Sequence, residues 1–156
     1  MAASIKDVAT SFIEFRNYGF WAHDSFLEGL LYLIVKELKT LPLKNEWKDK
    51  LIASWTFSYS AGFAGCIPVE LDEKLNDEEK IKLILSTIKL IISKINEDDG
   101  YLTHGELNNN LVGGKGMTWL GINKEGFLRT AHMTIDLLEG RLKTNASSPV
   151  TYLKFD

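Results

Sequence analysis

The chain has 156 residues, of which 45% are hydrophobic and 25% charged, and its formal net charge at pH 7 is −3. These values match one ordinary globular domain, long enough to bury a core without metals or disulfides. Its lysines and arginines are scattered, which argues against nucleic acid as a partner because phosphate binding requires basic clusters. The single cysteine, Cys66, cannot form an internal disulfide.

Neither a secretory signal nor a membrane span is predicted. Residues 1–15 carry Lys6 and Asp7, with no uninterrupted apolar core before them. The longest apolar run, residues 26–38, contains charged residues and falls short of the about 20 apolar residues that a span requires. We therefore expect a soluble, cytoplasmic protein in which residues 1–156 form one domain, with no membrane partner.

The first two predicted helices both lie before Pro42. One begins near Ser4, where Ser4 and Asp7 have the spacing of a capping pair, and continues through residues 8–15. The other covers about residues 18–38 and ends before Pro42. Both are strongly apolar.

The third predicted helix starts around Lys44 and runs into an ambiguous stretch, residues 53–60. Aromatic residues alternate there with serine and threonine, which is the periodicity of a strand. Continuing the helix places Trp47, Leu51 and Trp55 on one face, so helix is the preferred interpretation. Either alternative leaves a mainly α protein.

The fourth predicted helix has the clearest capping signal and core pattern. Asn76 is its predicted N-cap, with Glu79 at the reciprocal position. Isoleucines then repeat at spacings of three and four and predict a packed seam formed by Ile81, Ile84, Ile88, Ile91 and Ile95. A fifth helix is predicted over about residues 124–142. Together these segments predict a mainly α, single-domain helical bundle of about five helices with an irregular or extended C-terminal tail.

Residues 95–107, INEDDGYLTHGEL, have the order of acids and glycine found in an EF-hand calcium loop. Aligning Gly100 with the sixth loop position puts Ile95 at the first, where a carboxylate ligand is needed. Local structure explains the same residues, since Gly100 suits a left-handed helix end and Thr103 with Glu106 forms a capping box. We predict a helix end at Gly100, a helix start at Thr103 and no bound ion.

Asp24 projects into the middle of an apolar helical stripe, with His23 at one margin and Glu28 at the other. Since an isolated carboxylate in a core is costly, Asp24 is expected to be buried with a partner. One alternative is a structural hydrogen bond. The other is a metal-dependent enzyme whose catalytic and metal-binding residues are His23, Asp24 and Glu28, joined by His104 or His132. No E-x-x-H, H-x-x-x-H or H-E-x-x-H pair is present, so no cofactor is expected.

Three weaker signals have ordinary explanations. His132 and Asp136 are predicted to lie on the solvated side of the fifth helix, within a network of ion pairs. Residues 113–118, GGKGMT, have the wrong order for a phosphate-binding loop and predict a surface loop. Cys66 lies in apolar company and is predicted to be a small, inert core residue.

Residues 70–79 contain six acids against a single lysine, Lys74. The acids are Glu70, Asp72, Glu73, Asp77, Glu78 and Glu79. Such a surface predicts binding of a basic protein, with Met117 and Trp119 of the glycine-rich loop as exposed apolar anchors.

We therefore predict a non-enzymatic protein that acts by binding a protein partner, for example as an inhibitor or a toxin-neutralising protein. Small acidic helical proteins that block a toxin, as bacterial immunity proteins do, share this general character, although no motif carries the likeness. The alternative is the metal-dependent helical bundle described above. The oligomeric state is left open by the sequence.

Overall fold

The structure, a computed structural model, describes residues 9–145 and the backbone of residues 150–151. The elements in chain order are β1 (Thr10–Phe15), β2 (Tyr18–His23), α1 (Asp24–Thr40), α2 (Glu46–Ser60), α3 (Leu71–Lys74), α4 (Glu78–Glu97), α5 (His104–Asn109), α6 (Lys124–Leu138) and β3 (Val150–Thr151). The predicted mainly α class is confirmed. The bundle arrangement and the single domain stay predictions.

The N-terminal helix prediction is wrong over residues 10–15, which form the antiparallel partner of β2. Along β1 the buried residues alternate with less buried ones, so that Ile13 faces the core while Glu14 is exposed. The connecting residues Arg16 and Asn17 have φ of 50° and 73°, as the two central residues of a type I′ hairpin turn do. The predicted capping pair near Ser4 lies outside the described residues.

The second predicted helix is also corrected, because its first part, residues 18–23, is the central strand of the sheet. The strand order is β1-β2-β3, with β3 parallel to β2. Before β3, the Thr144 carbonyl accepts a hydrogen bond from the Gly19 N–H at 2.8 Å. The helix proper, α1, begins only at Asp24. The predicted extended tail is observed at Val150–Thr151, and its other residues from 146 onward lie outside the described part.

α1 occupies the centre of the fold and packs against α2, α4 and α6. Most residues of α1 are buried, and they lie on nearly every side of the helix. The predicted isoleucine seam of α4 is confirmed as part of this core, and all its members are buried: Ile81, Ile84, Ile88, Ile91 and Ile95. The helical interpretation of residues 53–60 is likewise confirmed, since α2 continues to Ser60.

α1 and α6 approach each other through two glycine–phenylalanine contacts. A β-carbon added at Gly29 of α1 would lie 2.1 Å from Cε1 of Phe127, and one added at Gly126 of α6 would lie 2.2 Å from Cζ of Phe26. The two phenylalanine rings meet edge to face, with centroids 5.2 Å apart. Each helix therefore offers a glycine to receive the ring of the other.

Three predicted helix ends shift by a few residues. The N-cap of α4 is Asp77 and not Asn76, since the Asp77 carboxylate accepts the Lys80 N–H at 2.9 Å. α4 ends at Glu97, and Gly100 lacks the predicted left-handed φ. α6 ends at Leu138, before Gly140, whose φ of 76° turns the chain out of the helix.

The predicted start of α5 at Thr103 is confirmed, but only one half of the capping box forms. The Thr103 hydroxyl accepts the Glu106 N–H at 3.2 Å. The Glu106 carboxylate instead accepts a hydrogen bond from the Tyr32 hydroxyl at 2.8 Å and pairs with Lys36 at 2.7 Å. Glu106 therefore joins α5 to α1.

Candidate protein-interaction surface

The predicted burial of Asp24 is confirmed, with none of its surface exposed. One carboxylate oxygen accepts the Ser11 hydroxyl at 2.7 Å, and the other accepts the Gly65 N–H at 2.7 Å. The Ser11 oxygen in turn accepts the Ile67 N–H at 3.0 Å. This chain of hydrogen bonds ties β1, the first turn of α1 and the segment after α2 to one another, which is the structural alternative for Asp24.

The other residues of the predicted metal site belong to β2, α1, α5 and α6. His23 is half-buried and caps α1, where its Nδ1 accepts the Ser25 N–H at 3.3 Å, and Glu28 is fully buried one turn further along. His104 and His132 are exposed on α5 and α6. Across residues 9–145, no group of three histidine, cysteine or acidic side chains is suited to hold a metal ion. The metal-enzyme alternative therefore gains no support from the described geometry.

Cys66 is exposed, so the prediction of a buried core thiol is wrong. Its neighbours are fixed from within, since the N–H of Gly65 binds Asp24 and the N–H of Ile67 binds Ser11. With the backbone of Gly65 held by α1 and that of Ile67 held by β1, the Cys66 side chain is left on the outside.

The glycine-rich loop does not present Trp119 as an exposed anchor, and the predicted role of Met117 stays a prediction. Trp119 is only 6% exposed, because its indole N–H donates to the Val112 carbonyl at 2.9 Å and its ring packs on Phe127. Met117 is half-buried against Gly113. The expectation that Trp119 is an exposed anchor is wrong.

The same loop packs against the end of α2. The Gly113 N–H donates to the Tyr59 carbonyl at 2.7 Å, whereas Trp47, at the start of α2, donates its indole N–H to the Lys74 carbonyl at 2.7 Å. A helix rises about 1.5 Å per residue, so these two attachment points lie about 18 Å apart along α2. The loop and Lys74 of the acidic segment therefore attach to opposite ends of α2.

The acidic segment forms an exposed surface around α3 and the first turn of α4, which we call the acidic face. Its members are Glu70, Asp72, Glu73, Asp77, Glu78 and Glu79, all exposed. Three basic residues partly neutralise it: Arg16 pairs with Glu78 at 3.3 Å, Lys74 with Glu70 at 3.5 Å and Lys80 with Asp77 at 3.4 Å. Within the described part of the chain, the carboxylates of Glu73 and Glu79 take part in no ion pair. The acidic face therefore keeps a negative charge.

The pKa of Asp77 lies below the ordinary value of an aspartate, chiefly because its carboxylate accepts the backbone N–H of Lys80. A lowered folded-state pKa stabilises the fold above the unfolded pKa, and this contribution is lost as pH falls through the lower, folded value. We expect an NMR titration of the Asp77 side chain to show a lower midpoint in the folded protein than in the urea-unfolded chain. Equal midpoints in the two states would contradict the cap.

A groove of about 330 Å³ borders the acidic face on the side of the α1–α2 connection. Leu43, Trp47 and Leu83 supply its apolar wall, while its charged wall is formed by Asp77, Glu79 and Lys80. Leu43 is 48% exposed. We call this the Leu43 groove. The Leu43 groove places an apolar surface beside the acids, as interfaces require. Residue spacing in the sequence did not predict this groove, because its walls come from three separate segments of the chain.

A second groove of about 380 Å³ borders the acidic face on the side of the sheet, between β1 and residues 67–73. Its walls include the exposed acids Glu14, Glu70 and Glu73. We call this the β1 groove. The acidic face is thus flanked by a groove on each side.

Strong perturbations of two ionisable groups occur elsewhere, in a packed cluster between α1, α4 and α5. The Tyr101 hydroxyl donates to Glu37 at 2.9 Å, and Lys94 binds the same carboxylate at 2.8 Å. Burial, followed by the hydrogen bonds to Glu106 and Glu37, raises the pKa values of Tyr32 and Tyr101 far above the ordinary range. These side chains satisfy one another and hold three helices together.

Comparisons with protein-family models, with curated proteins and with solved structures find no match to this chain. No described helix is long and apolar enough to cross a lipid bilayer.

Proposed function

We propose that the protein acts by binding a basic protein partner through the acidic face. The observation that supports this most strongly is the exposure of six carboxylates beside a groove with an apolar wall. Charge complementarity speeds encounter and excludes wrong partners, whereas apolar contact at the centre of an interface supplies most of the affinity. The acidic face provides the first and the Leu43 groove the second.

The finer form of this proposal is an inhibitor of the immunity type, working in the cytoplasm. A toxin that acts on an anionic substrate has a basic active site, and an acidic face could cover it. Such an inhibitor is expected to be encoded beside its toxin. A neighbouring gene for a basic protein would support this form, and a neighbour without basic character would count against it.

Reversing two charges of the acidic face that belong to none of its three ion pairs is expected to weaken binding of the partner. The variant Glu73→Lys/Glu79→Lys leaves the three ion pairs of the face in place, since neither residue belongs to them. Because like charges then face a basic partner, we expect about tenfold lower retention at physiological salt, where the Debye length is about 8 Å. Quantitative mass spectrometry of proteins captured by the wild type and by the variant measures the change.

The matched control reverses two acids at the other end of α4. Glu97→Lys/Asp99→Lys changes the net charge by the same amount at exposed positions, and it removes one exposed ion pair, between Asp99 and Lys124 at 3.7 Å. A basic protein retained by the wild type and the control, but lost by the acidic-face variant, is the expected result. Equal retention by both variants would overturn the proposed function.

A further inference from the structure

The outer edge of β1 carries unpaired backbone groups. In an antiparallel hairpin, hydrogen-bonded and non-hydrogen-bonded residue pairs alternate, and a two-residue turn is closed by a hydrogen-bonded pair. That pair is Phe15 and Tyr18, so the next pair, Glu14 and Gly19, directs its backbone groups away from the ladder. The Gly19 N–H indeed donates to the Thr144 carbonyl on the opposite side of β2.

The same alternation applies to Phe12, two residues before Glu14. The pairing at the other end of the hairpin agrees with it, since the Asp24 N–H donates to the Ala9 carbonyl. Phe12 and Glu14 therefore each direct one N–H and one C=O to the outer edge of β1. Among the residues that the structure describes, none of these four groups has a hydrogen-bond partner.

Residues 67–73 run beside this edge, and within the part of the chain that the structure describes two hydrogen bonds attach them to β1. At one, the Ile67 N–H donates to the Ser11 hydroxyl at 3.0 Å; at the other, the Arg16 N–H donates to the Asp72 carboxylate at 3.0 Å. The β1 groove lies between these attachments, next to the free groups of Phe12 and Glu14. The edge is thus open where its backbone groups are unpaired.

The walls of the β1 groove differ in chemistry. Ile67, Val69 and Leu71 are buried and apolar, whereas Glu14 and Glu70 are exposed acids. Side chains of an added strand would point alternately to the two faces. We infer that the β1 groove takes an extended basic segment of the partner as a further strand of the sheet, with apolar and basic residues alternating.

This inference rests on the proposed function, since it assigns a binding mode to the same basic partner of the acidic face. A free edge is also able to pair with a second copy of the chain. That occupant is disfavoured, because pairing β1 with β1 brings Glu14 and the acidic neighbours of both copies to one shared edge, where like charges repel. Charge complementarity selects a basic strand.

A capped peptide of alternating lysine and valine is the probe for this inference. With the wild-type protein, we expect its addition to slow hydrogen exchange of the Phe12 and Glu14 amides by about tenfold or more, since a paired edge opens less often. The same peptide with N-methyl groups on its edge-facing residues, and a peptide of alternating glutamate and valine, should leave both amides unprotected.

Two substitutions at one position separate backbone pairing from charge. Glu14→Pro removes the outward N–H without touching the ladder to β2, while Glu14→Gln removes only the acid. We expect Glu14→Pro to weaken peptide binding several-fold more than Glu14→Gln does. Equal weakening would overturn strand addition.

The possible failures are distinguishable. If the peptide shifts the resonances of Glu73 and Glu79 but protects neither Phe12 nor Glu14, strand addition is overturned and the acidic face stands. If it shifts none of these resonances and the charge-reversal variant retains every partner, both proposals fail. Protection that appears without peptide and grows with protein concentration would identify a second copy as the occupant and overturn the inference.

Discussion

Replacing Asp24 with asparagine is expected to lower the free energy of unfolding by about 2–3 kcal/mol. Both carboxylate oxygens accept hydrogen bonds in a fully buried site, one from Ser11 and one from Gly65. Asparagine has the same shape, but its NH₂ group cannot accept, so one buried donor loses its partner. Urea unfolding followed by tryptophan fluorescence measures the change.

Two further variants show whether the Asp24 network is responsible. Ser11→Ala removes the hydroxyl that joins Asp24 to Ile67, and its effect should not add to that of Asp24→Asn because the two residues are in contact. Asp49→Asn, at an exposed position of α2, should leave the unfolding midpoint unchanged. If Asp24→Asn behaves like Asp49→Asn but removes a stoichiometric bound metal, the metal-enzyme alternative replaces the structural one.

Replacing Gly29 with alanine is expected to lower the free energy of unfolding by about 2 kcal/mol, although alanine favours a helix by about 1 kcal/mol over glycine. The added methyl group would lie 2.1 Å from Cε1 and 2.8 Å from Cζ of Phe127. Phe127 is 1% exposed, so its ring cannot swing aside without displacing the core. Thermal unfolding measures the loss.

Gly105 in α5 provides the matched control for Gly29. A β-carbon there meets no atom within 4 Å, and the residue is exposed. Gly105→Ala should therefore gain the helix propensity of alanine, about 0.5–1 kcal/mol, without a clash. The double variant Gly29→Ala/Phe127→Leu should recover part of the stability that Gly29→Ala loses. A Gly29→Ala protein as stable as the wild type would show that α1 and α6 can separate freely.

Helical periodicity predicted the parts of the fold whose core contacts recur every three or four residues. The isoleucine seam of α4 and the burial of Asp24 follow from such spacing, because each helix presents one face to its neighbours. The hairpin was missed because residues 10–15 and 18–23 are short and apolar, and short apolar runs fit either period. These two segments are strands because the turn at Arg16 and Asn17 allows β1 to pair with β2.

Only the part of the candidate surface formed by residues close together in the sequence was predictable. The acids of residues 70–79 are neighbours along the chain, and α3 with the first turn of α4 keeps them exposed together. Trp119 was misjudged because its burial depends on Phe127 and on the Val112 carbonyl, which folding brings to it. The walls of both grooves likewise come from segments far apart in sequence.

The affinity of the captured basic partner for three forms of the protein tests the proposed function most directly. Calorimetric titration should give the same Kd for the wild type and Glu97→Lys/Asp99→Lys, and about a tenfold weaker Kd for Glu73→Lys/Glu79→Lys. Raising the salt concentration should weaken binding of the wild type. A Kd that is unchanged in the Glu73→Lys/Glu79→Lys protein would contradict binding through the acidic face.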